Sequence, residues 1–262
     1  MLEIQNTGYK DTEIIQQDLH SAKLVLFVAD AIQYDQVCGH APSARNAQHT
    51  YVMENQALVV VTEEKDLGVT VCNNLKLARQ CQLVYAKASK ALGLISRTIS
   101  FKRVSVLLKL YKSLVRLHLE YYVSAWSPYY EKDRFLLERI QHRFPRMIPS
   151  FKDERIRQLG LWTLEERRNR ADLLQIFKMY KGLSSAKFSD FFALSMSVTT
   201  RLHTAKIAKC RCHLDVRHFF FFSRVIDQWN RLQQSVIDSN SVNCFTNGLE
   251  HTRKTSMGFF MD

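Results

Sequence analysis

Glycine and proline are scarce, at 8 and 4 of 262 residues. Few turns can be built from them, which disfavours a many-stranded sandwich and favours long helices. No apolar run approaches the roughly 18 residues of a membrane span. The opening MLEIQNTGYKDTEIIQQDLH lacks the apolar core of a signal peptide. A soluble, intracellular protein without a membrane partner is the expectation. The six cysteines, Cys38, Cys72, Cys81, Cys210, Cys212 and Cys244, are dispersed. A chain of this length can bury a core without staples, so reduced thiols fit better than a disulfide scaffold. Acidic charge is also in deficit. Lys and Arg outnumber Asp and Glu by 37 to 25, a net charge of +12. A field of that sign attracts polyanions, nucleic acid first and an anionic membrane surface second.

Residues 11–29 have apolar positions at mixed spacing and read as a possible helix; 34–49 are polar and aperiodic. Three β-rich runs follow at 50–53, 57–62 and 68–71. Glu54-Asn55 forms a plausible tight turn and Glu63 to Asp66 a charged connection. Gly68 is free to take a positive φ or to allow close backbone approach, so a small antiparallel meander is expected. From Leu75 onward helical periodicity dominates. Val84, Ala88, Ala91 and Ile95 share one face, Val104, Leu108, Tyr111 and Val115 a second, and Leu136, Ile140, Phe144 and Met147 a third. Pro145 should kink or end the third helix near Phe144. Thr163-Leu164-Glu165-Glu166 is a capping-box pattern opening a helix with Leu173, Leu174, Phe177 and Tyr180 inward, stopping at Gly182. A last helix carries Phe222, Val225, Ile226, Trp229 and Leu232. The fold class is mainly α with a small antiparallel β meander. It divides into an irregular segment 1–49, the meander 50–72, a helical region 73–148 and a helical extension 149–262 with a basic loop at 184–217.

Six blocks then occur in order: EEKDLGVTV (63–71), ALGLISRT (91–98), LYKSLVRLHLEYYVSAWSP (110–128), LLERIQHR (136–143), LGLWTLEERRNRADLLQIFKMYKGL (159–183) and CRCHLDVRHFFFFSRVIDQWNRL (210–232). Together they resemble the region downstream of the catalytic palm in non-long-terminal-repeat (LINE-type) retrotransposon reverse transcriptases of the jockey-like and chicken-repeat type. The resemblance covers about 50–249. It implies a primer-gripping hairpin over 50–72, a helical thumb-like bundle over 73–148 and a helical C-terminal extension beyond. It also implies that the chain begins past the catalytic centre, without fingers, most of the palm or an endonuclease. Polymerisation needs two metal ions held by clustered carboxylates, which the family supplies partly from a Tyr-Ala-Asp-Asp turn. No Asp-Asp pair occurs here. Asp30, in Phe27-Val28-Ala29-Asp30-Ala31, is a single carboxylate and cannot build a metal pair. No catalytic residue and no cofactor are expected.

A helical thumb tracks a duplex through phosphate contacts that carry no sequence information. The residues nominated for RNA or DNA are Lys87, Lys90, Arg97, Lys102 and Arg103, the stripe Lys109, Lys112 and Arg116, and the basic segment Arg201, Lys206, Lys209 and Arg211. For each the plainer reading is a solvated face. His118 and Glu120, two apart on a helix, do not face each other and make no catalytic pair. Trp126 reads as packing at a helix end, Arg167, Arg168 and Arg170 as structural ion pairs with neighbouring acids, and Phe219 to Phe222 as core with one exposed ring. Cys210-x-Cys212-His213 has the wrong spacing for a zinc knuckle, so no metal site is expected. Three functions remain open: an inactive nucleic-acid-binding module, an accessory chain of a polymerase with a separate palm, and a decayed retroelement fragment without function.

Overall fold

The computed structural model describes residues 52–53, 56–57, 62–72, 74–100, 102–148, 159–195, 203–209, 211, 215–256 and 258–260. The helix expected over 11–29, the segment 34–49 and Asp30 lie outside them. The architecture is mainly helical with a small antiparallel β component.

Strands β1 (Val52–Met53) and β2 (Gln56–Ala57) pair as one hairpin; β3 (Glu63–Asp66) and β4 (Val69–Cys72) pair as another. The β-component is thus two hairpins, with β3 formed by the very residues read as a charged connection. Its side chains Glu63, Glu64 and Lys65 are exposed, so no apolar alternation marks it as a strand. The register Asp66↔Val69 leaves a two-residue loop, Leu67-Gly68, with φ of +46° and +84°. Two positive φ values define the turn that matches the right-handed twist of a hairpin. Gly68 also meets the second expectation. A Cβ there would lie 3.1 Å from the Tyr121 ring, whose hydroxyl donates to the Leu67 carbonyl at 3.1 Å.

Helix α1 (Ala78–Thr98) buries Cys81, Val84, Ala88, Leu92 and Ile95 at spacings of three and four. It is tied to β4 by the Thr70 N–H donating to Gln80 Oε1, 2.9 Å. The next helical stretch runs from α2 (Val104–Leu110) through a π-helical turn at Tyr111–Val115 into α3 (Arg116–Glu120). Leu107, Tyr111, Val115 and Leu119 are all fully buried. A strict spacing of four drifts about 40° per step around an α-helix. The wider π turn takes up that drift between Tyr111 and Val115, so all four face the same core.

Helix α4 (Glu131–Arg146) buries Leu137, Ile140 and Phe144 and stops two residues past Phe144, with Pro145 in its last turn, close to where proline was expected to end it. Phe144 stacks on Tyr111 at 4.3 Å. These helices and Val69 of β4 surround a first core that ends at Leu161 and Leu164.

Helix α5 (Leu164–Tyr180) begins at the capping box. Thr163 Oγ1 accepts from the Glu166 N–H at 3.1 Å, and Glu166 Oε2 accepts from the Thr163 N–H at 2.9 Å. Gly182, at φ +68°, follows its end. A single-turn 3-10 helix (Phe188–Asp190), α6 (Asp215–His218), α7 (Phe221–Asn230), α8 (Gln234–Ile237) and α9 (Val242–Thr255) complete the chain. Trp229, Phe177, Phe221, Phe245, Leu249 and Phe260 lie in the second core. Helix α9 was not expected from sequence. Its Asn243, Thr246, Asn247 and Gly248 are poor helix formers, yet Ser241 caps it by accepting from the Cys244 N–H and Phe245 and Leu249 are fully buried.

The two cores meet through polar contacts. Gln141 accepts from the Tyr111 hydroxyl and donates to the Trp162 carbonyl at 2.8 Å. Arg224 of α7 forks onto Asp172 of α5 at 2.8 and 3.1 Å and donates to the Val123 carbonyl at 3.0 Å. No helix among the described residues is long and apolar enough to cross a membrane.

Candidate nucleic-acid interface

Between Leu67 and Leu119 the sequence has ten Lys or Arg residues and no Asp or Glu. That stretch forms β4, α1, α2, the π turn and most of α3. Any exposed cation on α1 or α2 is therefore without an acidic neighbour on its own helix.

On α1, Lys87, Lys90 and Arg97 are exposed and lie away from the buried Val84–Ala88–Ile95 side. Arg97 Nε donates to the Gly93 carbonyl at 3.2 Å, which holds its side chain along the helix. Lys102 and Arg103 are exposed in the connection, and Lys109 and Lys112 on the next helical stretch. None of these seven has an ion pair among the described residues. They are exposed cations carried by the elements that surround the first core.

The rest of the nominated set behaves differently. Arg116 is not a free cation: it pairs with Glu120 at 3.4 Å, and burial beside Arg167 lowers its pKa. Lys209 pairs with Asp227 of α7. In both, an acid from the next turn or another helix already pairs with the cation. Lys206 is half-buried, Arg211 exposed, and Arg201 lies outside the described residues. The basic segment is also less loop-like than expected. Asn230 of α7 accepts from the Ile207 N–H and donates to its carbonyl, both at 2.9 Å, and Leu194 bridges Ile207.

Sequence reading missed three cations. Arg139, Arg143 and Arg146 are exposed on α4, opposite the apolar face that marks it as a helix. Arg143 donates to Ser89 of α1 at 3.4 Å, and Arg139 lies over the Tyr85 ring at 5.8 Å. This row therefore packs along α1 at Tyr85 and Ser89, the latter beside Lys90 in the chain. The spacings of four and three were the available signal.

The structural assignments of the neighbouring residues also become concrete. Arg167 pairs with Glu120 and Arg170 reaches Glu250 at 3.8 Å, while Glu166 pairs with Arg253 at 2.9 Å. Arg168 has no acidic partner among the described residues, unlike the ion pair expected of it. His118 is exposed, and Glu120 turns to the arginines. Trp126 is buried and donates through Nε1 to the Tyr121 carbonyl at 2.7 Å. Phe221 is buried, with Phe219, Phe220 and Phe222 half-buried. Cys210, Cys212 and His213 lie outside the described residues, and no group of three or more metal-ligating side chains occurs among the described ones. His203 is buried against the Trp229 carbonyl, 3.0 Å away, and burial lowers its pKa.

Comparison with protein-family models, curated proteins and solved structures finds no match to this chain.

Proposed function

We propose that this chain is a polynucleotide-binding module derived from the primer-grip, thumb and extension part of a LINE-type reverse transcriptase, without polymerase activity of its own. The observation that carries the reading is the acid-free run between Leu67 and Leu119, whose helical stretches and the connection between them bear the seven exposed cations Lys87, Lys90, Arg97, Lys102, Arg103, Lys109 and Lys112, none ion-paired among the described residues. Lysine and arginine at helical spacing attract phosphates without selecting a sequence. The sequence order of a β-hairpin followed by a helical bundle fits a grip-and-thumb arrangement, in which the hairpin steadies a strand end and the helices follow its backbone. The chain contains no adjacent pair of aspartates, so the close carboxylate pair that two-metal strand synthesis uses has no counterpart in its sequence.

Binding of a fluorescein-labelled oligo-dT and of an RNA–DNA duplex, followed by anisotropy across a salt series, tests this directly. Affinity should fall steeply and linearly on a log–log plot. A flat salt response, or no binding at low salt, would sink the reading. Primer extension with added magnesium should give no incorporation above background.

A further inference from the structure

A cavity of about 390 Å³ lies where α4, the N-terminus of α5 and the segment 127–129 meet. Its size falls in the range of small-ligand sites, about 300–1,000 Å³. Three aromatic rings contribute to its lining. Tyr129 and Phe219 stack on each other at 4.7 Å with planes 2° apart, and Phe135 is 61% exposed at the rim. Its polar lining includes Arg168 and Glu138.

Arg168 is the anomaly. It is 96% buried, since only 4% of its surface remains accessible. It lies 5.1 Å over the Trp126 ring and donates once, from Nη2 to the Leu119 carbonyl at 2.9 Å. Among the described residues Nε has no partner, and no carboxylate stands within ion-pair distance. A buried guanidinium carries five donors, and leaving them unmet is costly. The other two arginines of the lining are already engaged, Arg134 with Glu165 at 2.8 Å and Arg224 with Asp172. Glu138 accepts from the Leu164 N–H at 3.2 and 3.4 Å and retains further lone pairs on both oxygens.

This combination discriminates among ligand chemistries. A phosphate would satisfy Arg168 but would meet the carboxylates of Glu131, Glu138 and Glu165. An aliphatic ligand would leave Arg168 unmet. A planar heterocycle with acceptors on one edge and donors on another satisfies both groups and rests its faces on the rings. Guanine has that pattern: O6 and N7 accept from arginine, and its N1–H and N2 amino group donate to a carboxylate. We propose that the cavity takes one unpaired guanine, with Arg168 on its acceptor edge, Glu138 on its donor edge and aromatic stacking from Phe135 and the Tyr129–Phe219 pair. Presentation of that base by a strand rests on the polynucleotide-binding reading above; the cavity's preference for the base does not.

Titration calorimetry on the full chain with GMP, AMP, CMP and inorganic phosphate reads base preference. Anisotropy with oligo-dT, with or without one central dG, reads presentation by a strand. Saturable GMP binding is expected, at least about tenfold tighter than AMP or CMP, with no competition from equimolar phosphate. The dG-bearing oligonucleotide should bind about tenfold tighter than oligo-dT. Phe135→Ala, at an exposed position, and Glu138→Gln, which keeps an acceptor for Leu164, should each weaken GMP about tenfold and leave oligo-dT binding unchanged. Oligo-dT binding without GMP binding overturns the guanine site and leaves the module intact. GMP binding without any oligonucleotide binding overturns the module and keeps the site. Equal binding of GMP and AMP, or displacement by phosphate, overturns the assignment of guanine.

Discussion

Arg168 stacks over Trp126, 5.1 Å from the ring, as a buried cation with one hydrogen bond and no ion pair among the described residues, while Asp172, four residues further along the same helix, is buried and gripped by the fork of Arg224 from α7. The same helix thus presents an uncompensated charge and a compensated one. Burial lowers the pKa of Arg168, as expected of a cation taken out of water. Its stacking on the indole face recovers part of that loss, on the order of 2 kcal/mol for a desolvated pair.

These two arginines should respond oppositely to substitution. Arg168→Met removes a buried charge and replaces it with a flexible apolar side chain of similar length. The expected change in unfolding free energy is small or stabilising. Asp172→Ala strands the Arg224 guanidinium between the two cores and should cost about 3–5 kcal/mol. Urea denaturation of the two variants checks the contrast. Equal destabilisation would mean that Arg168 supports the fold through Leu119 and Trp126 more than its charge costs.

The exposed cations predict a change in salt dependence, beyond a change in affinity. Each phosphate contact on a single strand contributes about −0.7 to the slope of log K against log salt. Lys87→Gln with Lys90→Gln should therefore flatten the slope for oligo-dT by about 1.4. Lys209→Gln, whose ammonium is already held by Asp227, should leave it unchanged. A slope that moves equally in both variants would locate binding elsewhere.

Much of the fold was legible because periodicity reports burial. Val84, Ala88, Ile95, Tyr111, Ile140, Phe144, Val225 and Trp229 were placed on inward faces by spacing alone, and all are buried. Failures have separate physical causes. Leu107 and Leu119 escaped because the π turn at Tyr111–Val115 breaks the α-helical phase. Strand β3 escaped because every exposed residue in it is charged. The ion pairs of Arg116 and Lys209 escaped because their acids, Glu120 and Asp227, become neighbours only through helix geometry and tertiary packing. Arg168 is the converse case: its local sequence offers Glu165 and Glu166, but α5 directs those to Arg134 and Arg253. Local spacing therefore found where side chains are buried better than it found whom the charges meet.

The capping box joins α5 to both cores, since Glu166 is shared between the Thr163 N–H and Arg253 of α9. Those two donors hold the Glu166 carboxyl below its ordinary range despite the opposing effect of burial. Thr163→Ala should cost about 1 kcal/mol, the usual loss for an N-cap hydroxyl. Glu166→Gln should cost more than that, because it weakens the cap and the Arg253 fork together. Thermal melts of the two single variants and the double variant give the coupling, which should be clearly non-additive for groups in one network. Strict additivity would show that the two contacts act separately.

Glu138 supplies a pH signature. Burial, its largest cause, raises its carboxyl from an ordinary 4.5 to about 6, although the Leu164 N–H and Arg168 oppose the shift. A carboxyl with a raised folded-state pKa holds its proton more tightly in the folded protein. Its contribution to stability is therefore fully present below about pH 4.5 and is lost as pH rises through about 6. Glutamine at this position keeps an oxygen for the Leu164 N–H and never ionises. Glu138→Gln should melt higher than the parent protein near neutral pH, and the advantage should close as the pH falls below the carboxylate range. Melting temperatures of both proteins across that window decide the matter. A constant difference at every pH would mean that the carboxylate is solvated well enough through the adjoining cavity to ionise without penalty.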